Sequence, residues 1–371
     1  MGVCWCGNTD LVSFSRSYLK CNVCETIVAA SMPGPEISRV EDDERDFYGR
    51  PYWFSHQEKD LGHPDIVARS RTDLAERCLH WLRTLLKHKI PPAKVLEMGS
   101  AHGGFVAMLR WAGYDASGLE ISPWVVDFAR RVFDVPMLLG PIEDQAIEPD
   151  SLDVIALMDV LEHLPDPAAT MRQCLNLLRK TGILMIQTPR YPEHETYSDM
   201  AARDDSFLKM LREKDHIYLF SLQSIKKFFD RLGVKHLVFE PAIFSQYDMF
   251  LVAGGASLTV QTPERAEKSL SATPRGRMIQ ALLDLDERID SLKEKLSEVE
   301  VDREARLKII EDLGRHLQES EADRAARLAQ INELTRLLKE SEADRAARLE
   351  QIDELTKLTG ELNERLNVIQ K

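Results

Sequence analysis

No stretch of eighteen consecutive apolar residues occurs in this 371-residue chain, so the sequence offers no helix able to cross a membrane. No basic tract offsets the formal net charge of −13, which argues against a nucleic-acid partner because phosphate would be repelled. The start, MGVCWCGNTD, lacks the basic segment and apolar run of a secretory signal, so the chain is expected in the reducing cytoplasm, where thiols hold metal or stay free. A phosphate-binding GxGxxG turn is missing as well. The glycines nearest to it are Gly99, Gly103 and Gly104, with Ala101 between them, which disfavours a pyrophosphate-bearing dinucleotide. What is present is an apolar share of 44%, enough for one sizeable core with appendages.

The most informative segment is VLEMGSAHGG, Val95 to Gly104. A short apolar strand ends in an acid, Glu97, and a glycine-rich turn then opens a helix, so backbone can approach a ligand that side chains would block. About twenty residues on, DASGLE (Asp115 to Glu120) reads as a second strand ending in an acid, where doubly wound sheets hold ribose hydroxyls. A nucleoside without phosphate suits this pair.

The turn resembles the first motif of the class I S-adenosylmethionine-dependent methyltransferases, from which Ala101 departs by one methyl. The resemblance continues in the family's order: a helix from Pro123 to Phe133, a strand near Met137 to Leu139, and GPIEDQAIEPDSLDVIALMDVLEHLPDP from Gly140 to Pro167. It implies an α/β fold, a Rossmann-like seven-stranded sheet closed by two strands, Lys235 to Glu240 and Met249 to Ala253. It also implies a cofactor site built from Glu97, Gly99, Ser100, Ala101, His102, Gly103, Glu120, Ile121, Ile142, Glu143 and Met158. The acid that often follows the glycine of the adenine loop is Pro141 here, so that contact falls to Glu143, Asp144 or backbone.

Methyl transfer from a sulfonium needs positioning, desolvation and removal of the acceptor's proton. Candidate bases are His216, His163 and Asp159, with His194 as a further imidazole. His163 is equally well read as a residue that orders the LEH turn. Tyr218 and Phe220, beside His216, are candidates to stack on a sugar, against the alternative of lid packing. His102 is expected on the cofactor side.

Cys4 and Cys6, then Cys21 and Cys24, form two knuckles around a strand-like stretch, which is metal-ribbon spacing for a structural Zn2+. Cys78 and Cys174 lie in amphipathic helical segments and read as buried apolar residues. The resemblance extends here, since some sugar C-methyltransferases carry a cysteine-rich zinc module ahead of the same fold. The aromatic connector that follows, with Tyr48, Tyr52 and Trp53, is expected to fold over the cofactor or to pack on the ribbon.

From Leu282 to Ile369 an apolar 3,4 spacing continues through a repeat that starts at Glu298, Glu319 and Glu340. It predicts a left-handed coiled coil and a homo-oligomer through residues 282–369. At ~1.5 Å per residue such a helix is on the order of 130 Å long. Each repeat sets two arginines in the seam, such as Arg303 and Arg306, with acids such as Asp302 beside them for ion pairs across strands. The division expected is a ribbon at 1–31, a connector and helix at 32–90, a methyltransferase domain at 91–260, a linker at 261–281 and a coiled coil at 282–371. Polysaccharide-terminating methyltransferases share a long coiled-coil back, in which the rod spaces a capping enzyme from a polymerase. The resemblance therefore implies a carbohydrate acceptor, a nucleotide sugar or surface polysaccharide, and a glycosyltransferase partner. The alternative is an inactive scaffold that recruits partners through its coil.

Overall fold

The computed structural model describes residues 3–369; residues 1, 2, 370 and 371, where the expected ribbon begins and the expected coiled coil ends, lie outside the described residues. Three short strands, β1 (Leu11–Ser13), β2 (Tyr18–Cys21) and β3 (Ile27–Ala29), form the N-terminal antiparallel sheet. Helices α1 (Ile66–Asp73) and α2 (Leu79–His88), joined by a wide helical turn at Leu74–Cys78, lead into β4 (Lys94–Met98). Then follow α3 (Gly104–Ala112), β5 (Asp115–Glu120), α4 (Pro123–Phe133), β6 (Met137–Leu139), β7 (Leu152–Met158), α5 (Pro167–Leu177) and β8 (Leu178–Pro189). The chain continues with α6 (Tyr197–Ala202), β9 (Tyr218–Leu219), α7 (Leu222–Arg231), β10 (His236–Glu240), β11 (Asp248–Gly254), α8 (Pro263–Leu270) and α9 (Pro274–Ile369).

The expected sheet is there: seven strands in the order β10-β11-β8-β7-β4-β5-β6. β6, β5, β4, β7 and β8 run parallel, and β11 and β10 close the edge antiparallel. The inner strands are apolar on both faces, Val95 and Leu96 in β4 and Val154 to Leu157 in β7, because helices cover both sides. On one face, Leu82, Phe105, Leu109 and Val126 pack with Phe250; on the other, Leu96, Ile155, Ile186, Phe228 and Leu251 pack with the four N-terminal cysteines. The ribbon is therefore part of the main core. Helix starts follow their side-chain caps, Ser122 for α4, Asp166 for α5 and a Ser221/Ser224 capping box for α7.

Two expectations change. β9, in the segment expected to cap the acceptor, pairs with β3, Ile27 opposite Leu219, and so extends the N-terminal sheet to four strands. The 261–281 stretch, expected as a linker, is mostly helical: Pro263 starts α8 at a position that needs no N–H, and Leu270, Ile279 and Leu283 are buried against the sheet's helices. The chain divides into two compact units between Arg288 and Ile289. In the second unit the repeat is one continuous helix, and Arg306, Arg327 and Arg348 each pair with the aspartate four residues earlier in their own helix, at 2.7–2.8 Å. One of the two seam arginines of each repeat is thus paired within its own helix in the single chain.

A chain ending at Arg288 should keep the melting temperature of the first unit. One ending at Arg277 loses Ile279 and Leu283, each worth about 1.5–3 kcal/mol of burial, and should melt several degrees lower in a circular-dichroism scan. Equal melting of the two chains would contradict the packing described.

Candidate active site

The sheet order places the switch point between β4 and β7, since the chain runs outward from β4 to β5 and β6 and then returns to the other side. Ligands of open α/β sheets bind at that point, beyond the carboxyl ends of the strands. A cleft of about 800 Å³ lies there, walled by the β4–α3 turn, the ends of β5 and β7, the aromatic connector and the segment before β9.

The end where the cofactor is expected is built on the turn after β4. Gly99 has φ +64°, and a Cβ there would meet the Val160 methyl at 2.6 Å; Gly118, in β5, would meet Ser100 Oγ at 2.4 Å. Glycine is required at both. The N–H groups of Gly99 and Ser100 donate to the Leu119 carbonyl at 2.8 and 3.2 Å, which fastens the turn across β5. Ala101 sits at φ +47°, a left-handed backbone that costs an alanine roughly 1–2 kcal/mol. Its methyl packs against the cluster of Trp53, Ile66, Val125 and Phe128, to which the connector contributes Trp53. Glu120 accepts from the N–H groups of Ala101 at 3.1 Å and Ile121 at 2.8 Å. Glu97 is buried, with Oε2 lacking a hydrogen-bond partner among the described residues; burial, then the nearby Glu120, holds its carboxyl well above the usual range. Ile142, Glu143, Ile121 and Met158 complete this wall. Glu143 accepts from the Thr170 hydroxyl at 2.6 Å, while Asp144 turns away to pair with Arg39.

The other end gathers charged groups. Asp159, at φ +58° just past β7, takes Arg77 Nη1 on one oxygen and Gln187 Nε2 on the other, both at 3.0 Å; Gln187 is held by Trp81 Nε1. His163 Nδ1 lies 2.7 Å from the Asp215 carbonyl and 3.2 Å from Tyr48 Oη. A carbonyl only accepts, so Nδ1 carries the hydrogen and Nε2 keeps its lone pair. His216 repeats the arrangement, with Nδ1 donating to the Met210 carbonyl at 2.8 Å and Nε2 facing the Arg212 guanidinium. The two rings stand 4.9 Å apart. Burial holds both imidazoles below their ordinary range, His216 further because Arg212 and His163 add to it. Glu162, wholly buried, accepts from the Thr188 hydroxyl at 2.9 Å; burial and then Asp159 push its carboxyl up.

A family model described as "Methyltransferase domain" matches residues 70–237, which span α1 to β10 and hold both ends of this cleft. Residues 70–237 carry this S-adenosylmethionine-dependent methyltransferase domain. The chain is similar to ubiquinone biosynthesis O-methyltransferases. To that of Xanthomonas campestris pv. campestris it is 32% identical over 105 residues, 27% of this chain and 44% of the relative; to that of Neisseria meningitidis serogroup C it is 34% identical over 104 residues, 26% and 43%. The chain thus spans less than half the length of the curated relatives it matches. A possible histamine N-methyltransferase of Thermotoga maritima aligns with 54% of this chain and 99% of its own at 16% identity and a TM-score of 0.39.

Within the methyltransferase domain, not every expected residue reaches the cleft. Gly103 caps α3 at φ +78°, with Ala129 Cβ and Val135 Cγ2 each 3.0 Å from a Cβ there, so it serves helix packing. His102 lines the cleft but is tied down, Nδ1 accepting from the Gly104 N–H at 3.0 Å and Nε2 donating to Asp73 at 3.2 Å. Tyr218 and Phe220 point away: Phe220 packs on Trp5 and Phe228, and Tyr218 Oη reaches the Val3 carbonyl. His194 lies at a left-handed position outside the cleft lining. Tyr48, Tyr52 and Trp53 do line it. The sequence reading missed Arg77, Glu162, Arg212 and Asp248; the i, i+4 spacing of Arg212 and His216 was the available signal.

Cys4, Cys6, Cys21 and Cys24 are buried and free, with Sγ atoms of all four within 4.8 Å of one another. Cys4–Cys24 and Cys6–Cys21 are 3.4 and 3.6 Å apart, well beyond the ~2.05 Å of a disulfide and suited to tetrahedral thiolates. The short first knuckle is accommodated by Gly7 at φ +85°, whose N–H donates to the Cys4 carbonyl at 2.8 Å.

Glu97 is strained by its own burial. A carboxyl whose folded pKa is raised favours the protonated form, so the folded state loses stability as pH rises from the unfolded value toward the folded one. Glu97→Gln should melt higher than the parent, by a margin that widens as pH rises above the ordinary glutamate value, while binding S-adenosylmethionine at least ten times more weakly by calorimetry. A margin flat with pH would mean that Glu97 ionises freely.

Proposed function

We propose that this protein transfers a methyl group from S-adenosylmethionine to a carbohydrate acceptor, a nucleotide sugar or the end of a surface polysaccharide. The cofactor would be held by Glu97, by the Gly99–His102 backbone and by Glu120 at the ribose, with Ile142, Glu143 and Met158 beside the base. The fit rests on the unpartnered Glu97 Oε2 and the cradle that a Cβ at Gly99 or Gly118 would fill. Bound there, it supplies an electrophilic methyl on sulfur. Arg77 fixes Asp159 at the end of β7, the aromatic connector excludes water, and the Nε2 lone pair of His163, or of His216 once Arg212 moves off it, accepts the acceptor's proton. The observation that carries the carbohydrate reading is the dense set of charged and hydrogen-bonding groups at the acceptor end, Asp159, Glu162, His163, Arg212, His216 and Asp248, which suits a polyhydroxylated molecule.

We further assign the four cysteines to one structural zinc. All ligands are protein thiols, so its work is to hold the ribbon whose β3 carries β9. The exposed leucines of the repeat, among them Leu313, Leu334 and Leu355, support a homo-oligomer through residues 282–369, and the rod would space the enzyme from a glycosyltransferase partner.

Calorimetry should give micromolar binding of S-adenosylmethionine that is lost in Glu120→Ala. Mass spectrometry of products from labelled cofactor with nucleotide sugars, polysaccharide ends and a phenolic acceptor should show methylation in the sugar arms; the phenol alone methylated would overturn the acceptor class. Absence of binding heat by the folded protein would favour a scaffold. Stripping zinc should raise deuterium uptake at 216–220, because β9 loses its partner strand; unchanged uptake would uncouple the ribbon from the acceptor wall.

A further inference from the structure

We propose that Glu162, His163 and His216 form a binding site for a divalent cation at the acceptor end of the cleft. One potential ligand atom from each of the three residues lies within 4.8 Å of the others, and His163 Nε2 stands 3.9 Å from Glu162 Oε1. Two imidazoles and one carboxylate with positions left open make a facial triad, which suits Mn2+, Fe2+, Co2+ or Zn2+.

The surrounding hydrogen bonds are those of ligands held ready. Metal-binding histidines donate their other ring N–H to a carbonyl or carboxylate, which sets the tautomer and aims the lone pair. Here His163 donates to the Asp215 carbonyl and His216 to the Met210 carbonyl, and Thr188 takes the second oxygen of Glu162. The Ile217 N–H donates to the Glu162 carbonyl at 2.7 Å and fixes the His216 segment against the LEH turn.

Arg212 competes for the site, its guanidinium lying on His216 Nε2. It has an alternative. Asp215 is wholly buried and neither of its carboxylate oxygens has a hydrogen-bond partner among the described residues, while Arg212 Nη2 already stands 3.5 Å from Oδ2 and Arg212 Nε is itself unpartnered. A cation at His216 would turn Arg212 onto Asp215 and satisfy both. The open positions face the cleft, where the cation would grip two oxygens of the acceptor. This deepens the methyl-transfer reading and rests on it, and in the loaded state the two histidines are ligands rather than bases.

Mn2+ tests the site, since thiolates select softer metals and the cysteine cluster would keep its zinc. Electron paramagnetic resonance titration of the full chain should show one Mn2+ per chain, at least tenfold weaker in Glu162→Gln and His216→Asn, about ten- to a hundredfold weaker in Thr188→Val, and tighter in Arg212→Met. S-adenosylmethionine heats, unchanged in these variants, certify that they are folded. Absence of Mn2+ binding with cofactor heats intact, or binding equal in parent and variants, overturns the cation site and leaves methyl transfer standing; absence of cofactor heat in the parent overturns the reading beneath it.

Discussion

The turn between β4 and α3 is pinned to the end of β5, and the geometry of the cleft follows from that attachment. Two N–H groups of the turn share the Leu119 carbonyl, and a third reaches the Glu120 carboxylate. These bonds require the backbone to pass close over β5, which is why side chains are excluded at Gly99 and Gly118. They also bring the half-buried Glu120 close to the buried Glu97, and the Glu120 charge disfavours ionisation of Glu97. Such an arrangement destabilises the protein alone and suits a ligand carrying an ammonium and ribose hydroxyls.

The acceptor end depends on segments far from the glycine turn. The cysteine module lends β3 to β9, Tyr18 Oη donates to the His216 carbonyl at 2.9 Å, and Arg231 reaches the Cys6 carbonyl. The connector adds Tyr48 on His163 and anchors itself through Asp43, which accepts from Ser122 Oγ at 2.7 Å and the Trp124 N–H at 2.8 Å at the start of α4. Cysteine module, connector and sheet thus meet around one pair of imidazoles.

Sequence spacing was a good guide to position wherever a residue sits at a strand end or in a glycine turn. Glu97, Gly99 and Glu120 sit at strand ends and in a turn, so their positions follow from period and glycine placement, and the four cysteines from knuckle spacing. It was a poor guide where a side chain has two faces to choose from. Tyr218 and Phe220 look like acceptor contacts beside His216, yet pairing of β9 with β3 turns them into the ribbon core. Gly103 looks like part of a ligand turn, yet the approach of α4 is what demands it.

The amino-acid order alone determined the parallel sheet with its antiparallel closing pair, the glycine turn after β4, the four-cysteine cluster and the long heptad helix, because each is written in local periodicity and residue type. Only the tertiary structure decided that Arg77 and Gln187 clamp Asp159, that Glu162 joins His163 and His216, and that residues 263–270 and 274–283 pack on the sheet's helices. Those contacts join segments many residues apart, and which of several charged or apolar side chains meet there is settled by the packing of strands and helices in three dimensions.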